Sequence, residues 1–438
     1  MTLSPALPQG GGSAPFVVPL ASAEAADAGR FGPKAATLAR LARAGLPVPP
    51  GFCLDASAYR RQLAVLGLEA AARDTASDDP LTARRGALAM KLGLLDRPID
   101  EAIATPLLAA WRTLSGEAAA PVAVRSSALV EDRFGASFAG QFESYLGLET
   151  QEEVETAVRA CWAALWSTRV LRYMATHGAG PWETAMGVLV QPLVDAKVSG
   201  GALSRTAGGD MVINATRGLG VAIAQGEVVP ERIVLTAEGK LREATAARQY
   251  APVSCAHGAV RRGGLFGASR CLEDDRAIEL GALLKRVESL MGMPVEIEWA
   301  FDGTKLQLLQ ARPLHLEPAP IPDEVWERHP GIEGQPAGVG WGTGRACVVQ
   351  CECELPRVAA GDVLVTRAAG PALSQVLPRV AAVVSELGGS TSHLASLARD
   401  RGIPMVLGVF DATRRIPDGA QVAVDGVAGV VRWMPGIA

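Results

Sequence analysis

Residues 383–408 read VVSELGGSTSHLASLARDRGIPMVLG, and the fold assignment starts from them. The apolar run 380–384 predicts a buried strand, Gly388-Gly389 a sharp turn, and 394–401 a short helix ended by Gly402 and Pro404. His393 therefore stands at a helix entrance, where Ser390, Thr391 and Ser392 offer capping hydroxyls. The unpaired N–H groups of a first helical turn attract anions. Two readings stand side by side: an exposed histidine on an ordinary strand–turn–helix, or a histidine placed to carry phosphate.

Upstream, VEIEWAF (295–301) alternates strictly, with Val295, Ile297, Trp299 and Phe301 on one face and Glu296 and Glu298 on the other. Asp302-Gly303 then reverses the chain into LQLLQARP (306–313). Two carboxylates on one strand face are either a solvated surface or, in a pocket, oxygen ligands for Mg²⁺ beside nucleotide phosphates. Gln310 shares the face of Glu298 only if paired residue numbers sum to an even value. That requires an odd loop such as Asp302-Gly303-Thr304; a two-residue turn separates the two side chains.

Further back, 274–291 has leucines at helical spacing and a Gly292 stop, and Thr150-Gln151-Glu152-Glu153 is a capping box opening an amphipathic helix. Apolar runs at 186–194 and 211–215 predict strands on either side of SGGALSRT. In PVAVRSSALVEDRFGASFAGQFESYLGL (121–148), a strand at 122–124 leads into Arg125-Ser126-Ser127 and a loop of small residues. Small residues let backbone N–H groups approach phosphate oxygens, and Arg125 supplies a planar charged fork, although Gly and Ser mark any surface loop as well. Residues 56–116 read as helical scaffold broken at Asp78-Asp79-Pro80. In RFGPKAATLARLARAGLPVPPGF (30–52), Lys34 falls in a first helical turn, against the helix dipole, and either extends into solvent or reaches for an anion.

Several of these stretches carry a resemblance. GGSTSHLASLARDRGIPMVLG resembles the phosphohistidine signature of the phosphoenolpyruvate synthase and pyruvate phosphate dikinase family, which includes rifampin phosphotransferases. VRSSALVEDRFGASFAGQF is similar to that family's ATP-grasp signature, and VEIEWA with LQARP to the end of its ATP-grasp domain. FGPKAA resembles its first nucleotide-binding motif, with Pro33 where the family has a second glycine. The family often has an acid directly after Gly218-Leu219-Gly220, and here Val221 stands there.

The resemblance implies an α/β (α+β) chain: a flexible leader at 1–13, an ATP-grasp domain at 14–317, a linker at 318–344 and a small swivelling phosphohistidine domain at 345–438. It implies ATP-binding roles for Lys34, Arg125, the loop Ser137–Gly140, Glu296, Glu298, Gln310 and Arg312, with Glu298 and Gln310 also at Mg²⁺. His393 becomes the nucleophile toward the β-phosphate of ATP. An imidazole with an ordinary pKa of about 6.5 offers the neutral form this needs. AMP and phosphate leave, and the phosphoryl group passes to a small-molecule acceptor. The family's large PEP/pyruvate-binding barrel has no counterpart in the sequence. Hence two alternatives: a phospho-carrier whose acceptor site lies on a partner subunit, or an enzyme that activates a substrate for condensation.

The 438 residues suggest two to four domains. A net charge of −4 with no basic stripe argues against nucleic acid as partner. No apolar run approaches the ~20 residues of a membrane span, and the opening MTLSPALPQGGGSAPF lacks the charged start and apolar core of a signal peptide, so a cytoplasmic location is expected. The seven scattered cysteines suggest reduced thiols; Cys347, Cys351 and Cys353 lack the histidine or fourth cysteine that would complete a metal site.

Overall fold

A computed structural model describes residues 15–116, 120–130, 142, 144–168, 170–171, 174, 180, 184–250, 255–256, 259–260, 265–314, 326 and 328–434. The described residues fall into two compact units, one within 1–40, 50–130 and 143–193, the other within 41–49, 131–142 and 194–438.

The first unit is built on an antiparallel five-stranded sheet in the order Val17–Pro19, Phe52–Leu54, Met186–Pro192, Val122–Ala128, Ser144–Leu148. Its helices include Ala56–Leu66, Pro80–Asp96 and Glu101–Ser115, the second opening on Asp79, whose carboxylate accepts from the Leu81 and Thr82 N–H groups. The predicted capping box is present on Gln151–Ala164. Trp162 is buried, and Trp166 donates to the Tyr59 hydroxyl at 3.0 Å, so these tryptophans are core residues.

The second unit contains two large sheets. The first is antiparallel throughout, in the order Leu306–Pro313, Val295–Phe301, Val198–Leu203, Met211–Arg217, Glu231–Leu235, Leu241–Thr245. The helix Asp274–Met291, closed by Gly292 at φ 71°, packs on it and buries Leu280, Leu284 and Val287.

The other sheet has eight strands, ordered Gly331–Glu333, Val430–Trp433, Gln421–Asp425, Trp341–Val349, Val363–Thr366, Ala382–Ser385, Met405–Leu407, Gln335–Pro336. Its four central strands are parallel, and parallel strands are covered on both faces. Cys347, Val349, Leu364, Val383, Met405 and Leu407 face one core, with Leu394, Leu397 and Ala398 of the His393 helix. Ala346, Val348, Val363, Val365, Val384 and Val406 face the other. The strand Trp341–Val349 changes partner midway, pairing antiparallel with Gln421–Asp425 through Arg345 and parallel with Val363–Thr366 from Ala346 onward.

Residues 331–344, inside the stretch whose Pro and Gly content reads as linker, are thus strands of this sheet. Here glycine serves close packing rather than freedom: a Cβ on Gly342 would stand 2.4 Å from the Ala381 carbonyl oxygen, and one on Gly344 2.2 Å from that of Gly361. Among the described residues no helix is long and apolar enough to cross a membrane. Cys53, Cys161, Cys271, Cys347, Cys351 and Cys353 are unbridged.

Candidate active site

In the first unit, the helix Ala28–Arg43 is interrupted at Gly32, whose φ of 78° is left-handed. The helix restarts at Pro33, a residue pre-set for a first turn. A Cβ on Gly32 would meet the Ser127 carbonyl oxygen at 2.3 Å, so only glycine lets this kink lie against the strand that carries Arg125. Ser127 Oγ then accepts from the Ala35 N–H at 3.1 Å, satisfying one orphan donor of the restarted helix. The Lys34 ammonium donates to the Ser126 carbonyl at 3.0 Å. Arg125 itself is buried between partners Leu189 and Ser144. Lys34 and Arg125 are therefore brought to one helix–strand junction. Ser137 and Gly140 lie outside the described residues.

In the second unit, Glu296, Glu298, Gln310 and Arg312 share one face of a two-strand ladder, Glu296 directly opposite Arg312 and Glu298 directly opposite Gln310. The odd loop expected for this is not what achieves it. Phe301 pairs with Leu306, leaving the four-residue turn Asp302–Lys305, in which the Asp302 carboxylate accepts from the Thr304 and Lys305 N–H groups. A bulge at Leu309, between the Trp299–Leu308 and Glu298–Gln310 pairs, restores the even register.

Glu298 and Gln310 present neighbouring oxygen donors on a partly exposed face. Among the described residues no group of three or more His, Cys, Asp or Glu side chains gathers to hold a metal ion. A pair of this kind suits Mg²⁺, which binds through one or two protein oxygens and takes the rest from water and substrate phosphates.

Glu296 is occupied differently. It is 7% exposed, and its Oε2 receives Arg312 Nη2 and Arg399 Nη2, each at 2.7 Å, while Ser396 Oγ donates to the carboxylate at 3.1 Å. Burial pushes the Glu296 carboxyl up, but the two guanidinium groups outweigh it and hold the carboxyl below its usual range.

The His393 helix spans His393–Asp400 and has Ser392 as N-cap, its Oγ accepting from the Ala395 N–H at 3.3 Å. The preceding turn is clamped by Asn214, a fully buried residue in the middle of an apolar strand. Oriented with its amide oxygen toward the turn, Asn214 accepts from the Ser390 and Thr391 N–H groups at 3.1 and 3.2 Å and from both hydroxyls, which selects that orientation. Several donors at this entrance are thus met within the protein. Gly389 leaves room for Pro230, which a Cβ there would approach to 2.5 Å. Val221, at the departure from the family pattern, begins the four-residue helix Val221–Ala224 and is 41% exposed.

Asn214, Ser396 and Arg399 were not singled out from the sequence. The available signal was polarity out of place: an asparagine centred in MVINAT, and a serine and arginine three apart on the helix face that is otherwise Leu and Ala.

With this geometry in view, residues 28–328 match the family profile described as pyruvate phosphate dikinase, AMP/ATP-binding domain, and residues 358–429 match the PEP-utilising enzyme, mobile domain. Similar curated proteins include the phosphoenolpyruvate synthase of Pyrococcus furiosus, 32% identical over 91% of this chain and 56% of that protein. The probable phosphoenolpyruvate synthase of Archaeoglobus fulgidus is 32% identical over 94% and 57%, and the phosphoenolpyruvate synthase of Neisseria meningitidis 31% over 92% and 56%. The chain spans a little over half the length of these relatives. Two matched domains and this identity across almost all of its length make the chain a member of the phosphoenolpyruvate synthase and pyruvate phosphate dikinase family.

Proposed function

We propose that the chain is an ATP-dependent phosphotransferase of the dikinase type that stores a phosphoryl group on His393. The imidazole attacks the β-phosphorus of ATP; the bond from that phosphorus to the α-phosphate oxygen breaks, and AMP leaves. The γ-phosphate of the resulting pyrophosphohistidine is lost to water as inorganic phosphate, and the remaining phosphoryl group passes to a small-molecule acceptor of the PEP/pyruvate type. Residues 14–317 load the phosphate and 345–438 carry it, the carrier swinging between ATP and acceptor about a hinge that precedes Gly331, where its sheet begins.

The observation that carries this reading is the shared face of Glu298, Gln310 and Arg312, together with a His393 helix held to the same strand pair through Glu296. Lys34, Arg125, Arg312 and the loop containing Ser137 and Gly140 would bind the triphosphate, with Glu296 beside them. Glu298 and Gln310 would hold Mg²⁺, which offsets phosphate charge when bound. Arg312, rigid and always protonated, supplies fixed positive charge. The chemistry places the protein in the cytoplasm, where ATP is abundant.

The test is isotopic. ATP labelled at the β-phosphate should leave acid-labile label on His393, γ-label should appear as inorganic phosphate, and the nucleotide product should be AMP. ADP without labelled protein would mean a simple kinase; ADP with an acyl-phosphate would mean an ATP-grasp ligase. Either outcome rejects the phosphohistidine reading.

A further inference from the structure

The second unit buries a set of charges for which the proposed chemistry gives no role. Arg399 lies in the His393 helix and is 5% exposed. Its Nη1 donates to the Ser390 carbonyl at 2.5 Å and to the Ala337 carbonyl at 3.1 Å. Its Nη2 donates to Glu296 Oε2 at 2.7 Å and to Ser396 Oγ at 3.2 Å. One guanidinium therefore grips the turn just before His393, the strand region before Trp341, and a carboxylate of the antiparallel sheet. Arg312 shares that carboxylate oxygen from the next strand, at 2.7 Å.

Buried charges of this kind add little net stability, because desolvation opposes the attraction, but an arrangement in which every member is paired excludes alternatives in which one is not. Moving the helix away would leave Arg399 and Glu296 each short of a partner. The seat is also shaped sterically: a Cβ on Gly201, in the strand beside Glu298, would stand 2.5 Å from the Thr391 Cβ. Asn214 ties Ser390 and Thr391 to the neighbouring strand. Three independent contacts, polar and steric, thus converge on the residues flanking His393.

We propose that Arg399 is a positioning residue for loading of His393: with Glu296 it forms the seat that holds the His393 helix against the strands bearing Glu298 and Gln310, and it fixes the Ser390 turn from which that helix starts. The inference rests on the phosphohistidine reading above. Arg399 touches neither nucleotide nor reacting atoms. Its effect falls on the rate of transfer to His393 rather than on ATP affinity, and a misplacement of about 1 Å costs up to ~100-fold in rate.

The experiment compares wild type with Arg399→Met, Arg399→Lys, Glu296→Gln and the Arg399→Met/Glu296→Gln double variant. It reads single-turnover labelling of His393 from β-labelled ATP, and ATP dissociation constants by calorimetry. Arg399→Met should slow labelling by roughly 10- to 100-fold at saturating ATP while changing affinity less than about threefold. Arg399→Lys should recover part of the rate, since one ammonium can serve the carboxylate but not both carbonyls as well. The double variant should be no slower than the slower single one. Labelling of Arg399→Met at the wild-type rate, or multiplying effects in the double variant, overturns the proposal.

A nucleotide-free readout keeps the two readings separate. Spin labels at the exposed Lys285 and Arg414 should give one narrow distance distribution in wild type and a broadened one in Arg399→Lys and Arg399→Met. Unchanged distributions in both overturn the seat. Wild type that takes no label overturns the phosphohistidine reading instead, while the distances still decide whether the seat exists.

Discussion

The Glu298–Gln310 pair and the His393 entrance sit in the same unit yet hold their polar groups by opposite means. The first is fixed by a backbone ladder: once Glu296 pairs with Arg312 and the bulge falls at Leu309, the distance between the two side chains is set by strand geometry. The second is fixed by side chains, with Asn214 clamping Ser390 and Thr391, Ser392 capping the helix, and Arg399 bracing the Ser390 carbonyl. Side-chain hydrogen bonds exchange readily with water, whereas a ladder opens only cooperatively. A pair that must keep its spacing belongs on the ladder, and a group that must be seated and released belongs on the clamp.

The most severe way to break this comparison is to remove the group being carried. His393→Asn should lower AMP formation by at least ~10³-fold while ATP binding stays within about twofold, because the nucleotide ligands lie on other elements. Equal loss of ATP binding, measured by calorimetry, would mean that the two regions are not separable. Next comes the ladder. Glu298→Ala should weaken Mg·ATP use by roughly 10- to 100-fold, the loss of one charged ligand worth about 1.5–3 kcal/mol, with the melting temperature almost unchanged. A fall in melting temperature with normal Mg·ATP use would return Glu298 to the status of a solvated strand residue.

Removing the clamp should cost less in rate. Asn214→Leu leaves buried N–H and hydroxyl groups unmet and should destabilise the protein by about 1–3 kcal/mol in denaturant titration, with His393 labelling slowed several-fold. Asn214→Asp retains an acceptor oxygen and should be the milder change; if it is the worse one, the amide faces the turn with its nitrogen.

The smallest effect is expected far from both regions, at the capping box. Glu153 accepts from the Glu149 and Thr150 N–H groups, which hold its carboxyl below the usual range near 4.5. A depressed carboxyl contributes stability above the ordinary value and loses it as pH falls through the depressed one. The melting-temperature gap between wild type and Glu153→Gln should therefore be present at neutral pH and close in acid. A gap that widens in acid would contradict the sign.

The same contrast explains what could be read from the chain alone. Periodicity located the helix Asp274–Met291 and the strand Val430–Trp433 to the residue, because burial and capping act within a few positions. The loop before Leu306 was misjudged because register depends on both strands at once, and a bulge at Leu309 leaves no mark in local composition. The strands at 331–344 were hidden by their own glycines, whose purpose appears only when Ala381 and Gly361 are brought alongside. Signature residues Glu298, Gln310 and His393 were visible. Their braces, Asn214 and Arg399, were not, since what distinguishes them is a partner more than 100 residues away, as with Arg399 and Glu296.

The strand Trp341–Val349, which pairs parallel along one half and antiparallel along the other, also bears on how the chain is made. Val363–Thr366 leaves the ribosome soon after it and can pair at once, but Gln421–Asp425 follows only after another fifty-odd residues. At ~5–20 residues per second the nascent chain spends several seconds with the 341–345 edge unpaired. Such an edge is a template for pairing with another chain. The glycines there leave few apolar side chains to grip an intruding strand, so this half of the strand waits for its partner without offering much to a wrong one.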